Sequence, residues 1–148
     1  MTASRSAPRH RSREAALQAL YAADIAGEPD LARAQASLDA LAEHFELPAG
    51  AKAFAKELVL GVATHREEID RRITAFAHRW RLERMAAVDR NVLRLAAYEI
   101  VFGGTPREVA IDEAVELARR FSDEASPRFV NGVLDALARG AAGEERPQ

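Results

Sequence analysis

The stretch MAAVDRNVLRLAAYEIVF, residues 85–102, decides the fold of this 148-residue chain. Its apolar residues recur at helical spacing, but they cover most of the helix circumference instead of forming one stripe. A helix that is apolar nearly all round is typical of the centre of a helical bundle. Glu99 falls in the apolar sector, and a buried carboxylate needs a partner. We therefore expect an internal ion pair between Glu99 and either Arg84 or Arg94.

Helical periodicity continues on both sides of this segment, and no alternating pattern of useful length predicts a strand. The other predicted helices cover residues 8–26, 30–45, 51–63, 65–80, 105–121 and 126–140. The fold class is therefore predicted to be all-α, a single domain of about seven helices over residues 8–140. We expect a disordered basic arm at 1–7 and a flexible tail at 141–148.

Several positions carry specific expectations. Trp80 continues the apolar face of the fourth predicted helix, and Thr105 has the pattern of a residue that caps the sixth. Gly140 is expected to end the seventh helix. Gly132 lies inside that helix, where glycine costs roughly 1 kcal/mol relative to alanine. We interpret it as a site of close approach by another element, with Asn131 hydrogen-bonded nearby.

The composition excludes several classes of protein. There is no cysteine, so disulfides, thiolate metal sites and a cysteine nucleophile are ruled out. No apolar run approaches the roughly 18 residues of a membrane span, and the N-terminus lacks the uncharged apolar segment of a signal peptide. We expect a cytoplasmic protein with no membrane contact.

Catalytic patterns are missing from the sequence as well. The four histidines, His10, His44, His65 and His78, are scattered and form no metal-binding pair. No nucleophile elbow, P-loop or dinucleotide-binding glycine pattern occurs. We expect no enzymatic activity, no metal and no cofactor.

The first 13 residues hold four arginines and no acidic residue, although the whole chain has a net charge of −2. A local basic patch on an acidic body favours contact with a polyanion. Arg11, Gln18 and Tyr21 share a helical stripe, and an exposed aromatic beside arginine and an amide can stack an unpaired base. The alternative is a solubilising tail with Tyr21 half-buried, and the composition weighs both interpretations evenly.

Four segments carry a resemblance to one known family. They are RHRSREAALQALY (9–21), WRLERMAAVDRNVLRLAAYEI (80–100), VAIDEAVELARRF (109–121) and SPRFVNGVLDALA (126–138). Their order and combined length resemble the family of the bacterial transcription antitermination factor NusB, over about residues 8–139. The resemblance implies seven helices in two packed bundles.

The same resemblance implies a function and partners. Family members bind the single-stranded boxA segment of RNA jointly with the ribosomal protein NusE, and the complex joins the RNA polymerase elongation complex in ribosomal RNA operons. Some members also form homodimers. By motif, RNA contacts are expected at Arg9, His10, Arg11, Arg13, Gln18, Tyr21, Arg128 and Phe129. Phe129 has the spacing of a core residue, so its position is open.

Two other functions are compatible with the pattern. A similar helical domain precedes the catalytic domain of some ribosomal RNA cytosine methyltransferases, but these 148 residues include no nucleotide-binding βαβ pattern. A protein-interaction module with an incidental arginine tail is the other alternative.

Overall fold

A computed structural model describes residues 2–27, 30–44, 47 and 50–145 of the chain, and these residues are mainly helical and include no strand. The elements are α1 (Thr2–Ile25), α2 (Leu31–His44), α3 (Ala51–Thr64), α4 (Arg66–Phe76), a 3-10 turn (Leu82–Arg84), α5 (Ala87–Val101), α6 (Arg107–Phe121) and α7 (Ser126–Glu145). The all-α prediction is confirmed. The chain divides into two compact units, Met1–Thr64 and His65–Gln148.

The first unit is a three-helix bundle in which α1, α2 and α3 each pack against the other two. Its core consists of small and branched side chains, including Ala16, Leu20, Leu38, Leu58 and Val62. Alanine lets α1 approach its neighbours closely, so a short helical bundle is filled without large aromatic residues. The unit therefore holds α1 firmly along residues 12–23.

The second unit is built around α5, which packs against α4, α6 and α7. Every residue from Asn91 to Ala97 is buried. Burial on all sides requires the nearly continuous apolar circumference seen in the sequence. The prediction that this helix occupies the centre of a bundle is confirmed.

The buried polar residues of α5 have partners that the sequence did not predict. Arg94 pairs with Asp70 of α4, with Nε 2.8 Å from Oδ1 and Nη2 3.0 Å from Oδ2. Buried Glu99 accepts a hydrogen bond from the Thr105 hydroxyl at 2.9 Å. The ion pair of Arg94 with Asp70 joins α5 to α4 through two hydrogen bonds, and the predicted ion pair between Glu99 and Arg84 or Arg94 stays a prediction.

Both ends of the helical region extend further than predicted. Helix α1 begins at Thr2, where a disordered arm was expected, and Pro8 lies inside it at the loss of one backbone donor. Helix α7 continues through Gly140 to Glu145, into the predicted tail. Gly140 does not end the helix: a Cβ there would lie 2.6 Å from Phe76 Cζ, so glycine is required by packing.

Three further expectations are corrected. Helix α4 ends at Phe76, and Trp80 lies beyond it with 56% of its surface exposed. Thr105 does not cap α6, which starts after Pro106, because its hydroxyl donates to Glu99. Nothing described lies within 4 Å of a Cβ built on Gly132, and Asn131 is exposed with no side-chain hydrogen bond to a described residue. Phe45, the predicted end of the second helix, lies outside the described residues.

Candidate nucleic-acid interface

Helix α1 presents most of the predicted stripe of Arg11, Gln18 and Tyr21 to solvent, and Arg9 lies on another side of the same helix. Arg9, Arg11 and Tyr21 are exposed, Tyr21 with 39% of its surface, and Gln18 is half-buried. The stripe stays outward because the neighbouring face of α1, with Ala16, Leu17 and Leu20, is buried in the three-helix bundle. Two guanidinium groups, an amide and a phenol are thus carried on one rigid helix.

Two predicted contact residues differ from this pattern. Arg13 is only 4% exposed, so its guanidinium is not presented to solvent as the prediction required. It lies on the buried side next to Ser12, whose hydroxyl donates to the carbonyl of Ala51 at 2.7 Å. His10 is half-buried, with Nε2 3.9 Å from the carboxylate of Glu14. Both residues stay predicted RNA contacts, and in this structure Arg13 is almost completely covered by the protein.

Phe54 of α3 lies close to two arginines of α1. Its half-buried ring lies under the guanidinium of Arg9, with Arg9 Cζ 4.2 Å from the ring centroid. Arg13 Cζ is 5.4 Å from the same centroid. Both distances are within the range of a cation–π interaction.

The second unit has a pocket at the start of α7. Its volume is about 360 Å³, and its walls include Trp80, Arg84, Met85, Asp89, Asp123 and Phe129. The rings of Trp80 and Phe129 meet edge-on, with centroids 6.5 Å apart and planes at 78°. Of the two residues predicted at the start of the last helix, Phe129 is half-buried and lines this pocket, and Arg128 is exposed.

A hydroxyl–carboxylate network fixes one wall of this pocket. The Asp89 carboxylate accepts from the Ser122 hydroxyl at 2.7 Å and from the Ser126 hydroxyl at 2.9 Å. Asp123 Oδ1 lies 3.0 Å from the same Ser126 oxygen. A serine has one hydroxyl hydrogen, so Ser126 donates to one carboxylate at a time. The network ties α5 to Ser122, just after α6, and to Ser126, the first residue of α7, whose first turn carries Arg128 and Phe129.

The chemistry of the pocket suits a planar, neutral group. Trp80 and Phe129 supply apolar aromatic surface, and Arg84 supplies a cation at the rim. The carboxylates of Asp89 and Asp123 disfavour a phosphate inside the cavity. An unpaired nucleobase meets these conditions, since unstacked bases bind on aromatic side chains.

Sequence reasoning missed Trp80, Arg84 and Phe54 as surface residues. Trp80 has the i, i+4 spacing of a core position relative to Phe76. This spacing places two residues on the same face only within a helix, and α4 ends at Phe76. The signal that could have found it is the charged segment after Phe76, with His78, Arg79 and Arg81 around a single tryptophan.

The described part of the chain shows no other kind of site. No group of three or more histidine, aspartate or glutamate side chains within it could hold a metal ion. No helix in the described ranges is both long enough and apolar enough to cross a bilayer.

Comparison with known families and proteins identifies relatives of this chain over most of its length. The profile of the NusB family matches residues 10–139. The transcription antitermination protein NusB of Solibacter usitatus (strain Ellin6076) is 51% identical over 133 residues, which cover 90% of this chain and 90% of that protein.

Solved structures are similar over the same range. T. maritima NusB is 37% identical with a TM-score of 0.78, covering 88% of this chain and 90% of that one. A chain in the crystal structure of antitermination factors NusB and NusE in complex with dsRNA is 30% identical, with a TM-score of 0.81. That match covers 90% of this chain and 97% of the other.

Proposed function

Because the chain belongs to the NusB family, we propose that it is a transcription antitermination factor that binds boxA-type RNA together with NusE. The family is non-enzymatic, and no catalytic role is assigned to any residue. The proposal draws on relatives named as antitermination proteins and on the similar NusB chain seen with NusE and RNA.

The observation that carries the proposal is the stripe of Arg11, Gln18 and Tyr21 on α1, in which Arg11 and Tyr21 are exposed, together with exposed Arg9 on another side of the same helix. Arginine binds phosphate through a planar fork of donors, and tyrosine stacks on a base that has left its helix. The stripe therefore combines a contact that any RNA can make with one that only an unpaired base can make. Gln18, half-buried beside them, supplies an amide for a base edge.

The pocket in the second unit supplies a further base-binding element. Phe129 and Trp80 form its aromatic surface, Arg128 is exposed beside it, and Arg84 lines it. Arginines at the rim suit the phosphates that flank a base held in the pocket. We assign this pocket to an unpaired base of the same RNA class.

The finer parts of the function follow from the family resemblance. We propose that the complex with RNA and NusE joins the RNA polymerase elongation complex in the cytoplasm and promotes transcription of ribosomal RNA operons. A homodimer formed through the RNA-contacting residues would compete with RNA, so we expect RNA to shift any dimer towards monomer.

A titration of fluorescently labelled boxA RNA tests the proposal. Anisotropy is measured with boxA and scrambled RNA, with and without NusE, at two salt concentrations. We expect tighter binding of boxA than of the scrambled RNA when NusE is present, and affinity that falls with salt. Equal affinity for both RNAs in the presence of NusE would refute the proposed specificity.

Variants separate the two kinds of contact. Arg11→Ala should weaken binding to both RNAs and reduce the salt slope by about 0.7, the value for one phosphate of a single strand. Tyr21→Ala should weaken boxA binding more, by about 1–3 kcal/mol for one stacked base. Arg119→Ala, which removes an exposed arginine of α6 that pairs with Glu116, is the charge-matched control.

A further inference from the structure

The contact between Arg9 and Phe54 joins an RNA-facing residue to a residue of another helix. Arg9 lies on α1 and Phe54 on α3, and the guanidinium carbon is 4.2 Å from the ring centroid. The face of a guanidinium is weakly hydrated and stacks on aromatic rings, whereas its N–H donors lie in its plane. A cation–π contact needs no carboxylate or carbonyl acceptor, so it leaves the N–H donors of Arg9 available for a phosphate.

The two arginines near this ring differ in their exposure to solvent. Arg13 is buried, so the bundle already holds it in place. Arg9 is exposed and, among the described residues, makes no hydrogen bond or ion pair. Within the described part of the chain, the side chain of Arg9 therefore interacts with the Phe54 ring alone.

We propose that Phe54 is a positioning residue that holds Arg9 in a conformation ready to bind an RNA phosphate. An unrestrained arginine loses rotamer freedom when it binds, and a side chain ordered in advance loses less. This inference rests on the proposed RNA-binding function and adds to it a residue of α3 that itself contacts no RNA. The ligand is the phosphodiester backbone, so the effect is independent of base sequence.

The free protein provides the first test, without RNA. NMR chemical shifts of the Arg9 side-chain protons should show a ring-current displacement that Phe54→Leu abolishes and Phe54→Tyr retains. Unchanged Arg9 shifts in Phe54→Leu would overturn the proposal, whatever the RNA measurements give. Circular dichroism and the urea midpoint confirm that each variant retains the bundle.

A double-mutant cycle provides the second test, with labelled boxA RNA as the probe. Phe54→Leu should raise Kd by about two- to tenfold, the factor for one side chain that must be ordered during binding. Phe54→Tyr should bind like the unmodified protein, since it keeps the ring. In an Arg9→Ala background, Phe54→Leu should have no further effect on Kd.

The cycle separates this proposal from the proposed function. An equal effect of Phe54→Leu with and without Arg9 would overturn the positioning role, because the loss would then act through Arg13 or through packing. RNA binding that depends on Arg9 but not on Phe54 would overturn this inference alone. Binding that is unchanged by Arg9→Ala would remove Arg9 from the RNA contacts and overturn both assignments of that residue.

Discussion

Replacing Asp89 with alanine tests how the pocket of the second unit is held together. Asp89 is buried in α5, and its two carboxylate oxygens accept hydrogen bonds from Ser122, just after α6, and Ser126, at the start of α7. Asp89→Ala removes both acceptors in one step. The start of α7, which carries Phe129, then loses its polar attachment to the central helix.

The magnitude follows from what each serine can bind instead. A hydrogen bond to a charged group contributes about 1.5–3 kcal/mol, so two such bonds set the upper limit. Ser122 is half-buried, so water can replace part of its bond. Ser126 is 2% exposed, but Asp123 Oδ1 at 3.0 Å can accept its hydrogen. We therefore expect a loss of about 1.5–3 kcal/mol, near the value of one charged bond and not of two.

The assay is equilibrium unfolding in urea followed by circular dichroism and by tryptophan fluorescence. The chain has one tryptophan, Trp80, and it lines the same pocket, so its emission reports this region. Asp112→Ala, which removes an exposed carboxylate of α6, is the control and should stay within about 0.5 kcal/mol of the parent protein. A loss for Asp89→Ala no larger than that of the control would refute the reasoning.

Two glycines of α7 should respond to alanine in opposite directions. Gly132→Ala should raise the free energy of unfolding by roughly 1 kcal/mol, because the site is exposed and no described atom lies within 4 Å of the new Cβ. A fall in the urea midpoint of this variant would contradict the prediction. Gly140→Ala should lower it by about 1–3 kcal/mol, because the new Cβ would lie 2.6 Å from Phe76 Cζ. In Gly140→Ala, the further change Phe76→Leu should restore part of the loss, and no restoration would show that the ring is not the obstacle.

The sequence alone was sufficient for the helices and for the central position of α5. Helical periodicity is a local property, since it depends on spacings of three and four residues. The apolar circumference of residues 85–102 could be satisfied only by burial on all sides, and α5 is surrounded by α4, α6 and α7. The exposed Arg11 and Tyr21 were placed on one stripe by the same argument.

Only the tertiary structure decided the partners of the polar residues. Arg94 pairs with Asp70, 24 residues earlier in the chain, and Glu99 accepts from Thr105. Periodicity showed that a carboxylate lay in an apolar sector, but it gave no distance to any cation. A buried polar group takes the partner that the packed neighbouring helix brings within about 3 Å, and that choice depends on the packing of whole helices.

The same limit explains the residues whose exposure was misjudged. Arg13 is covered by the contact with α3, Trp80 is uncovered because α4 ends at Phe76, and Phe54 reaches the surface beneath Arg9. For each residue, the local sequence pattern predicts either burial or exposure, and the packing of a more distant part of the chain produces the opposite. The sequence by itself determined which faces of the helices are apolar, because that depends on spacing. The tertiary structure determined which polar and aromatic side chains line a surface, because that depends on what lies across from them.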